Sequence, residues 1–139
     1  MWTFYGREGE LWRDGRWVAL GLYAGADDGD GLVEPGEGRG DYSKQAERNV
    51  GPTPPGHYTI GPAFTHPTIG TLVMRLTPKP GTDTHGRDGF LIHGGNPAGG
   101  SSHGCIVAPV AVRAMIAASL DTDLEVVAEA PHATGGTAV

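Results

Sequence analysis

Residues 90–109 constrain the fold of this chain most, because they join two chemically active side chains through a loop that is almost free of side chains. An apolar run at 90–92 predicts a short buried strand, which ends at His93. Residues 94–100 are only glycine, asparagine, proline and alanine, which indicates a loop. Cys105, the only cysteine of the chain, follows shortly afterwards. The stretch therefore predicts that the loop returns the cysteine towards the histidine.

His93 and Cys105 are the residue types that thiol nucleophile chemistry requires. The thiolate is the reactive form, and a nearby imidazole lowers the pKa of the thiol by accepting its proton. Gly104 permits a backbone conformation that a Cβ would obstruct. The N–H groups of His103, Gly104 and Cys105 are candidates for holding a developing oxyanion. We interpret His103 as a second base, a substrate contact or a residue that contributes only its backbone, with the last two favoured. Ser102 is interpreted as a support for the turn or the substrate.

This arrangement resembles the catalytic domain of L,D-transpeptidases, whose signature is a histidine, a spacer, then Ser/Thr-His-Gly-Cys and an apolar residue. His93 matches the first part, and residues 102–106, Ser-His-Gly-Cys-Ile, match the second. A Pro-Gly-x-Tyr-x-Ile element at 55–60 and the segment 74–78 extend the similarity over most of residues 49–109. The Ser-His-Gly-Cys-Ile core is a fairly specific signal, whereas the outer matches are weak singly.

The chain departs from the mainstream enzymes in two features, and in both it resembles a divergent branch of the family. That branch includes type VI secretion effectors that attack peptidoglycan. The spacer after His93 is shorter, and Val107 stands where many of the enzymes carry a polar residue. The resemblance implies a mainly β fold, an L,D-transpeptidase-like β-sandwich or barrel with one main helix. We expect a single domain over residues 1–139, with 131–139 as a flexible tail.

The resemblance also implies an activity, which is cysteine-dependent acyl transfer on peptidoglycan stem peptides without a cofactor. Transpeptidation, D-amino-acid exchange and L,D-carboxypeptidase activity stay open. The partners implied are the stem peptides, a cognate immunity protein and a secretion apparatus, with action in the bacterial periplasm after non-classical export. A housekeeping cell-wall enzyme and a non-catalytic binding module of the same fold are the alternatives.

The residues around the histidine supply further candidates for the site. His85 and Arg87 precede the strand and are candidates for binding a substrate carboxylate. Three groups are candidates for orienting the imidazole of His93. Two are the carboxylates of Asp83 and Asp88, and the third, which the similar enzymes imply, is the carbonyl of Gly94.

Net charge and hydropathy limit the kinds of partner and compartment that we expect for the protein. A formal net charge of −6 argues against nucleic acid and anionic membranes as main partners. No apolar stretch is long enough to span a membrane, and the first residues do not have the pattern of a signal peptide. Structural zinc is the rival hypothesis for four residues, although they include no compact Cys-x-x-Cys pair. Those residues are His85, His93, His103 and Cys105.

Hydrophobic alternation and turn signals predict the remaining elements. Strands are predicted at 2–5, 10–13, 17–23, 57–60, 71–77 and 123–128. Asp14-Gly15 predicts a hairpin turn, and residues 25–49 a long loop with a helical turn near 42–48. The segment 109–120 predicts a helix whose apolar face contains Val112, Met115, Ile116 and Leu120. A small sheet is expected to pack Trp2, Phe4, Trp12 and Trp17.

Overall fold

The computed structural model describes residues 1–25, 40–48, 50–95 and 104–131. Within these ranges the chain is mainly β with one α-helix, which confirms the predicted fold class. The strands are β1 (Trp2–Tyr5), β2 (Glu10–Arg13), β3 (Arg16–Leu20), β4 (Tyr23–Ala24), β5 (Gly56–Ile60), β6 (Phe64–His66), β7 (Gly70–Pro78), β8 (Leu91–His93), β9 (Ile106–Val107) and β10 (Asp123–Val127). The helix α1 spans Val110–Ser119, and a single 3₁₀ turn spans Tyr42–Lys44.

The strands form one mixed sheet in the order β3-β2-β1-β10-β5-β7-β8-β9-β4, and β6 pairs with β7 outside this path. Two neighbouring pairs are parallel, β1 with β10 and β8 with β9. The other pairs are antiparallel. The parallel pair β8–β9 contains the stretch that the sequence singles out.

The sheet curls back on itself, because its two end strands are neighbours in sequence. Only Gly21 and Leu22 separate β3 from β4. Eight flat steps between strands would place these ends about 38 Å apart, whereas the three Cα steps from Leu20 to Tyr23 reach at most about 11 Å. The Leu22 N–H also donates to the Gly9 carbonyl at 3.1 Å. In the described ranges β3 and β4 are not paired with each other, so the sheet is strongly curved but open.

The hydrophobic core collects the apolar side chains of the strands together with one face of α1. Tyr58 is fully buried, and its hydroxyl donates to the Pro54 carbonyl at 2.7 Å. Its ring meets Phe90 edge to face, with the ring centroids 6.1 Å apart. These contacts fix the segment before β5 against the segment that leads into β8. The largest fully buried apolar side chains are Trp2, Phe4, Leu11, Tyr58, Met74, Ile92, Ile106, Val73 and Val126.

Several predicted elements are confirmed, and two differ. Asp14 and Gly15 both have positive φ, 49° and 79°, as a two-residue hairpin turn of type I′ requires. The strand predicted at 17–23 is wrong as one element, since the chain bends at Gly21, with φ 95°, and divides into β3 and β4. The sequence reading also gave no strand at Phe64–His66, where β6 forms.

The buried face of α1 differs from the predicted one. Val112 and Ile116 are buried as expected, but Arg113 is buried beside them and Met115 is exposed. Leu120 is 87 % exposed, because the helix has already ended there in a left-handed conformation with φ 58°. Trp17 is also 56 % exposed, so it does not join Trp2 and Phe4 in the core.

Two further predictions lie partly outside the described residues. Of the loop predicted at 25–49, the structure describes 40–48 and contains the expected helical turn at Tyr42–Lys44. Of the tail predicted at 131–139, only Pro131 is described. In the part of the chain described here, no helix has the length and apolarity needed to cross a membrane.

Candidate active site

The imidazole of His93 is buried at the end of β8, between β7 and β9. Its Nδ1 lies 2.7 Å from the carbonyl oxygen of Gly94. Because a carbonyl oxygen only accepts hydrogen bonds, Nδ1 carries the proton and Nε2 is the nitrogen able to accept one. The two carboxylates considered from the sequence lie elsewhere, since Asp83 contacts His85 and Asp88 pairs with Arg48. The Gly94 carbonyl therefore holds the tautomer that a general base needs.

Cys105 immediately precedes β9, the strand that pairs in parallel with β8. The register aligns Ile92 with Ile106 and His93 with Val107. The thiol of Cys105 donates to the Gly89 carbonyl, with the sulfur 3.8 Å from the oxygen. The backbone N–H of Leu91 donates to the same sulfur. The chain thus returns the cysteine to the strand that ends at the histidine, as the sequence predicts.

The electrostatic setting of Cys105 differs from the expected one. Burial raises the pKa of the Cys105 thiol. The N–H of Leu91 and the positive charge of Arg87 lower that pKa, but by less than burial raises it. The sequence predicted a thiol whose pKa is lowered by an ion pair with imidazole. A raised pKa favours the neutral thiol at rest, so a nucleophilic role for Cys105 requires loss of this proton as the sulfur reacts.

The peptide between Gly104 and Cys105 is fixed from one side by Thr53. This fully buried side chain donates a hydrogen bond from Oγ1 to the Gly104 carbonyl. In a trans peptide the C=O and the following N–H point in opposite directions. Thr53 therefore sets the direction of the Cys105 N–H, which is one of the predicted oxyanion donors.

Gly104 itself has two reasons to be glycine. Its φ of 121° lies in a region that side chains disfavour. A Cβ at this position would also collide with Nη2 of Arg87 and approach the Gly51 carbonyl to 3.2 Å. The turn before the cysteine therefore packs directly on a guanidinium group.

Arg87, a candidate for binding a substrate carboxylate, is only 5 % exposed. Its Nη1 donates to the carbonyls of Gln45 and Pro52 at 2.6 and 2.9 Å, and its Nη2 donates to the carbonyl of Gly51 at 2.9 Å. The guanidinium also lies over the Phe90 ring, 5.2 Å from its centroid. A substrate carboxylate would have to compete with these three oxygens.

His85, the other such candidate, lies on the surface of the same loop. Its Nε2 is 3.2 Å from Oε1 of Gln45, and its backbone N–H donates to Asp83 at 2.8 Å. The ring therefore stays accessible beside the segment that Arg87 binds. The structure keeps His85 as a candidate for contact with a ligand.

Arg113 was missed by the reasoning from sequence. It is 8 % exposed, and it donates from Nε to Ala108 at 2.9 Å and from Nη1 to Thr71 at 2.6 Å. Its Nη2 would lie 2.6 Å from a Cβ at Gly94. Arg113 thus ties the first turns of α1 to the residue that orients His93. The only available signal was its position between Val112 and Ile116, where a charge interrupts the apolar face.

Ser102 and His103 lie outside the described residues, as does the loop at 96–101. In the ranges that are described, no group of three histidine, cysteine, aspartate or glutamate side chains is close enough to hold a metal ion. A cavity of about 210 Å³ lies away from the histidine and cysteine, between β5, β7 and the end of α1. Its lining includes Ile60, Met74, Ile116 and Leu120.

Comparison with known proteins adds no family assignment. No protein-family model matches the chain, and no curated protein matches it. The geometry of His93 and Cys105 and the resemblance of their motif are therefore the features that bear on function.

A first prediction concerns the packing of Gly104 on Arg87. Gly104→Ala introduces backbone strain of about 1–3 kcal/mol and a clash costing about 1–3 kcal/mol more, because Arg87 is held in place by three carbonyls. Gly81→Ala is the matched control, since Gly81 has φ 93° but nothing within 4 Å of its would-be Cβ. Urea denaturation should show a clearly larger loss of unfolding free energy for Gly104→Ala. Equal losses would contradict the described packing.

Proposed function

We propose that the protein is a cysteine acyltransferase that acts on peptidoglycan stem peptides. The observation that carries the catalytic part is the placement of His93 at the end of β8 and of Cys105 immediately before β9, the parallel neighbour of β8, with the Gly94 carbonyl on Nδ1 of the histidine. The substrate class is carried by the resemblance of His93 and residues 102–106 to the L,D-transpeptidase signature. The geometry and the motif resemblance both point to His93 and Cys105.

In the proposed reaction, the sulfur of Cys105 attacks the carbonyl carbon of an L,D-linked amide in a tetrapeptide stem. Nε2 of His93 takes the thiol proton as the C–S bond forms. The Cys105 N–H, oriented through Thr53, stabilises the negative oxygen. The C–N bond then breaks, and the imidazolium returns the proton to the amine of the departing D-alanine.

The resulting thioester has two proposed fates. An amine of another stem or a free D-amino acid gives transpeptidation or exchange, whereas water gives carboxypeptidase activity. The acceptor regenerates the thiol, and His93 removes the acceptor's proton in this half of the reaction. Because burial raises the pKa of Cys105, the neutral thiol is its resting form, and proton transfer to His93 accompanies attack.

A non-catalytic binding domain is the second candidate, and the same raised pKa of Cys105 favours it. A buried, neutral thiol is the ordinary state of a cysteine that only packs. This candidate predicts binding of stem peptides without turnover. The hydrogen bond from His93 to Gly94 is then a structural contact.

A second prediction separates these candidates. Purified protein is incubated with muropeptides, with and without a free D-amino acid, and the products are analysed by mass spectrometry. Wild type should form new products, Cys105→Ala should form none, and His93→Gln should be slower by about 10²–10⁴-fold, because proton transfer contributes that much.

His57→Gln is the matched control for the histidine. The His57 side chain is 55 % exposed on β5, so its loss should leave the rate within about twofold, since surface changes are usually mild. Identical product patterns from wild type and Cys105→Ala would contradict the enzymatic proposal. Binding without products would favour the second candidate.

We further propose, from the resemblance to the divergent branch alone, that the protein is an antibacterial effector delivered by a type VI secretion apparatus. Its substrate lies in the periplasm of the target cell. A cognate immunity protein that blocks the cleft of Cys105 would protect the producer. A housekeeping cell-wall enzyme is the alternative.

A third prediction tests the effector proposal in a bacterial host. The chain is expressed once in the cytoplasm and once with an added periplasmic signal, and growth is followed. We expect harm from the periplasmic form alone, since the assembled peptidoglycan lies only in that compartment, and no harm from periplasmic Cys105→Ala. Equal growth of all strains with verified expression would exclude the effector role and leave the chemistry to the muropeptide assay.

A further inference from the structure

Arg87 is a buried cation whose described hydrogen bonds all go to neutral backbone carbonyls. Gln45, Gly51 and Pro52 supply the three oxygens. Burial lowers the pKa of this guanidinium, but arginine stays protonated over the pH range of enzymes. The full positive charge is therefore retained in a site of reduced dielectric, where it acts more strongly than at the surface.

This charge lies against Gly104, the residue that precedes the proposed nucleophile. Nη2 of Arg87 fills the space that a Gly104 side chain would take, and Gly104 is bonded to Cys105. The stacking on Phe90 and the carbonyl bonds fix the guanidinium in one orientation. No rearrangement is needed for the charge to act when negative charge develops at the sulfur.

We propose that Arg87 is a positioning residue that fixes the Gly104–Cys105 turn and supplies a preorganised positive charge to the Cys105 sulfur as it becomes a thiolate. The role acts through electrostatics and backbone placement, so Arg87 does not touch the substrate. The inference rests on the proposed role of Cys105 as nucleophile, but it requires no particular substrate. This positioning role takes the place of substrate-carboxylate binding, the role predicted for Arg87 from the sequence.

The other charged or titratable groups near Cys105 differ in position. His93 follows on β8, the strand whose Leu91 N–H reaches the sulfur. Asp88, next to the Gly89 carbonyl acceptor, is exposed and paired with Arg48 at 3.3 Å. The positive charge of Arg87 lowers the pKa of the Cys105 thiol. Its removal should therefore be visible in the titration of the thiol.

A fourth prediction tests this role by alkylation of the full chain with iodoacetamide at a series of pH values. The rate follows the thiolate fraction, so its midpoint reports the pKa of Cys105. Arg87→Met removes the charge and should move the midpoint upward by about one pH unit, the size expected for loss of a nearby opposite charge. The rate at neutral pH should fall by about tenfold, whereas the rates at high pH should converge.

A lysine variant separates the charge of Arg87 from its packing, and a second variant controls for net charge. Arg87→Lys keeps the charge but loses the planar fork, so it should retain a midpoint nearer to wild type than Arg87→Met. Arg13→Met is the matched control for net charge, since the described side-chain contacts of Arg13 are with Trp2, Asp14 and Asp121. It should leave the midpoint unchanged. Should Arg87→Met fail to fold by circular dichroism, Arg87→Gln, which keeps two N–H donors without charge, takes its place.

The outcomes distinguish this inference from the proposed function. A folded, uncharged variant with an unchanged midpoint would overturn the role of Arg87, and so would equal shifts in the lysine and uncharged variants. Neither result bears on whether wild type converts muropeptides. Conversely, if Arg87→Met shifts the midpoint but wild type yields no muropeptide products, the role of Arg87 is supported and the acyltransferase proposal is contradicted.

Discussion

The parallel pairing of β8 with β9 is the interaction on which the site depends. It is short, with Ile92 opposite Ile106 and His93 opposite Val107. Parallel strands require a crossover connection, and here the glycine-rich residues of the motif join the two strands in sequence. A hydrogen bond from the Ala108 N–H to the His93 carbonyl, at 2.9 Å, extends the pairing. A shift in this register would change the position of His93 relative to Cys105.

Two buried arginines support this short pairing from opposite ends. Arg113 binds the Ala108 carbonyl after β9 and packs on Gly94, whereas Arg87 binds the 51–52 segment and packs on Gly104. Burying a guanidinium is costly unless its donors are used, and carbonyl oxygens meet that requirement without neutralising the charge. The arrangement therefore provides rigidity and positive potential together. Lysine, with its single point charge, does not reproduce the planar fork.

The sequence predicts those parts of the molecule that depend on local chemistry. The Asp14-Gly15 turn, most strands and the approach of Cys105 to His93 follow from turn residues, alternation and motif spacing. Thr53 could not be found in this way, because its hydroxyl reaches Gly104 across 51 positions of the chain.

Long-range burial also explains the errors concerning charge. Arg87 resembles an exposed loop residue in sequence, and only the folded chain shows that three distant carbonyls enclose it. The pKa of Cys105 likewise depends on desolvation by the whole fold, which a motif does not encode. The candidate nucleophile could therefore be singled out from the sequence as a residue, whereas its ionisation state could not.

The most direct test of the account is detection of a thioester on Cys105. Wild-type protein is mixed with a tetrapeptide stem, quenched in acid within the first turnover, and examined by intact-mass and peptide mass spectrometry. The account predicts an adduct with the mass of the stem minus its terminal D-alanine, located on the peptide that contains Cys105. Turnover without such an adduct, or an adduct on another residue, would contradict nucleophilic attack by this cysteine.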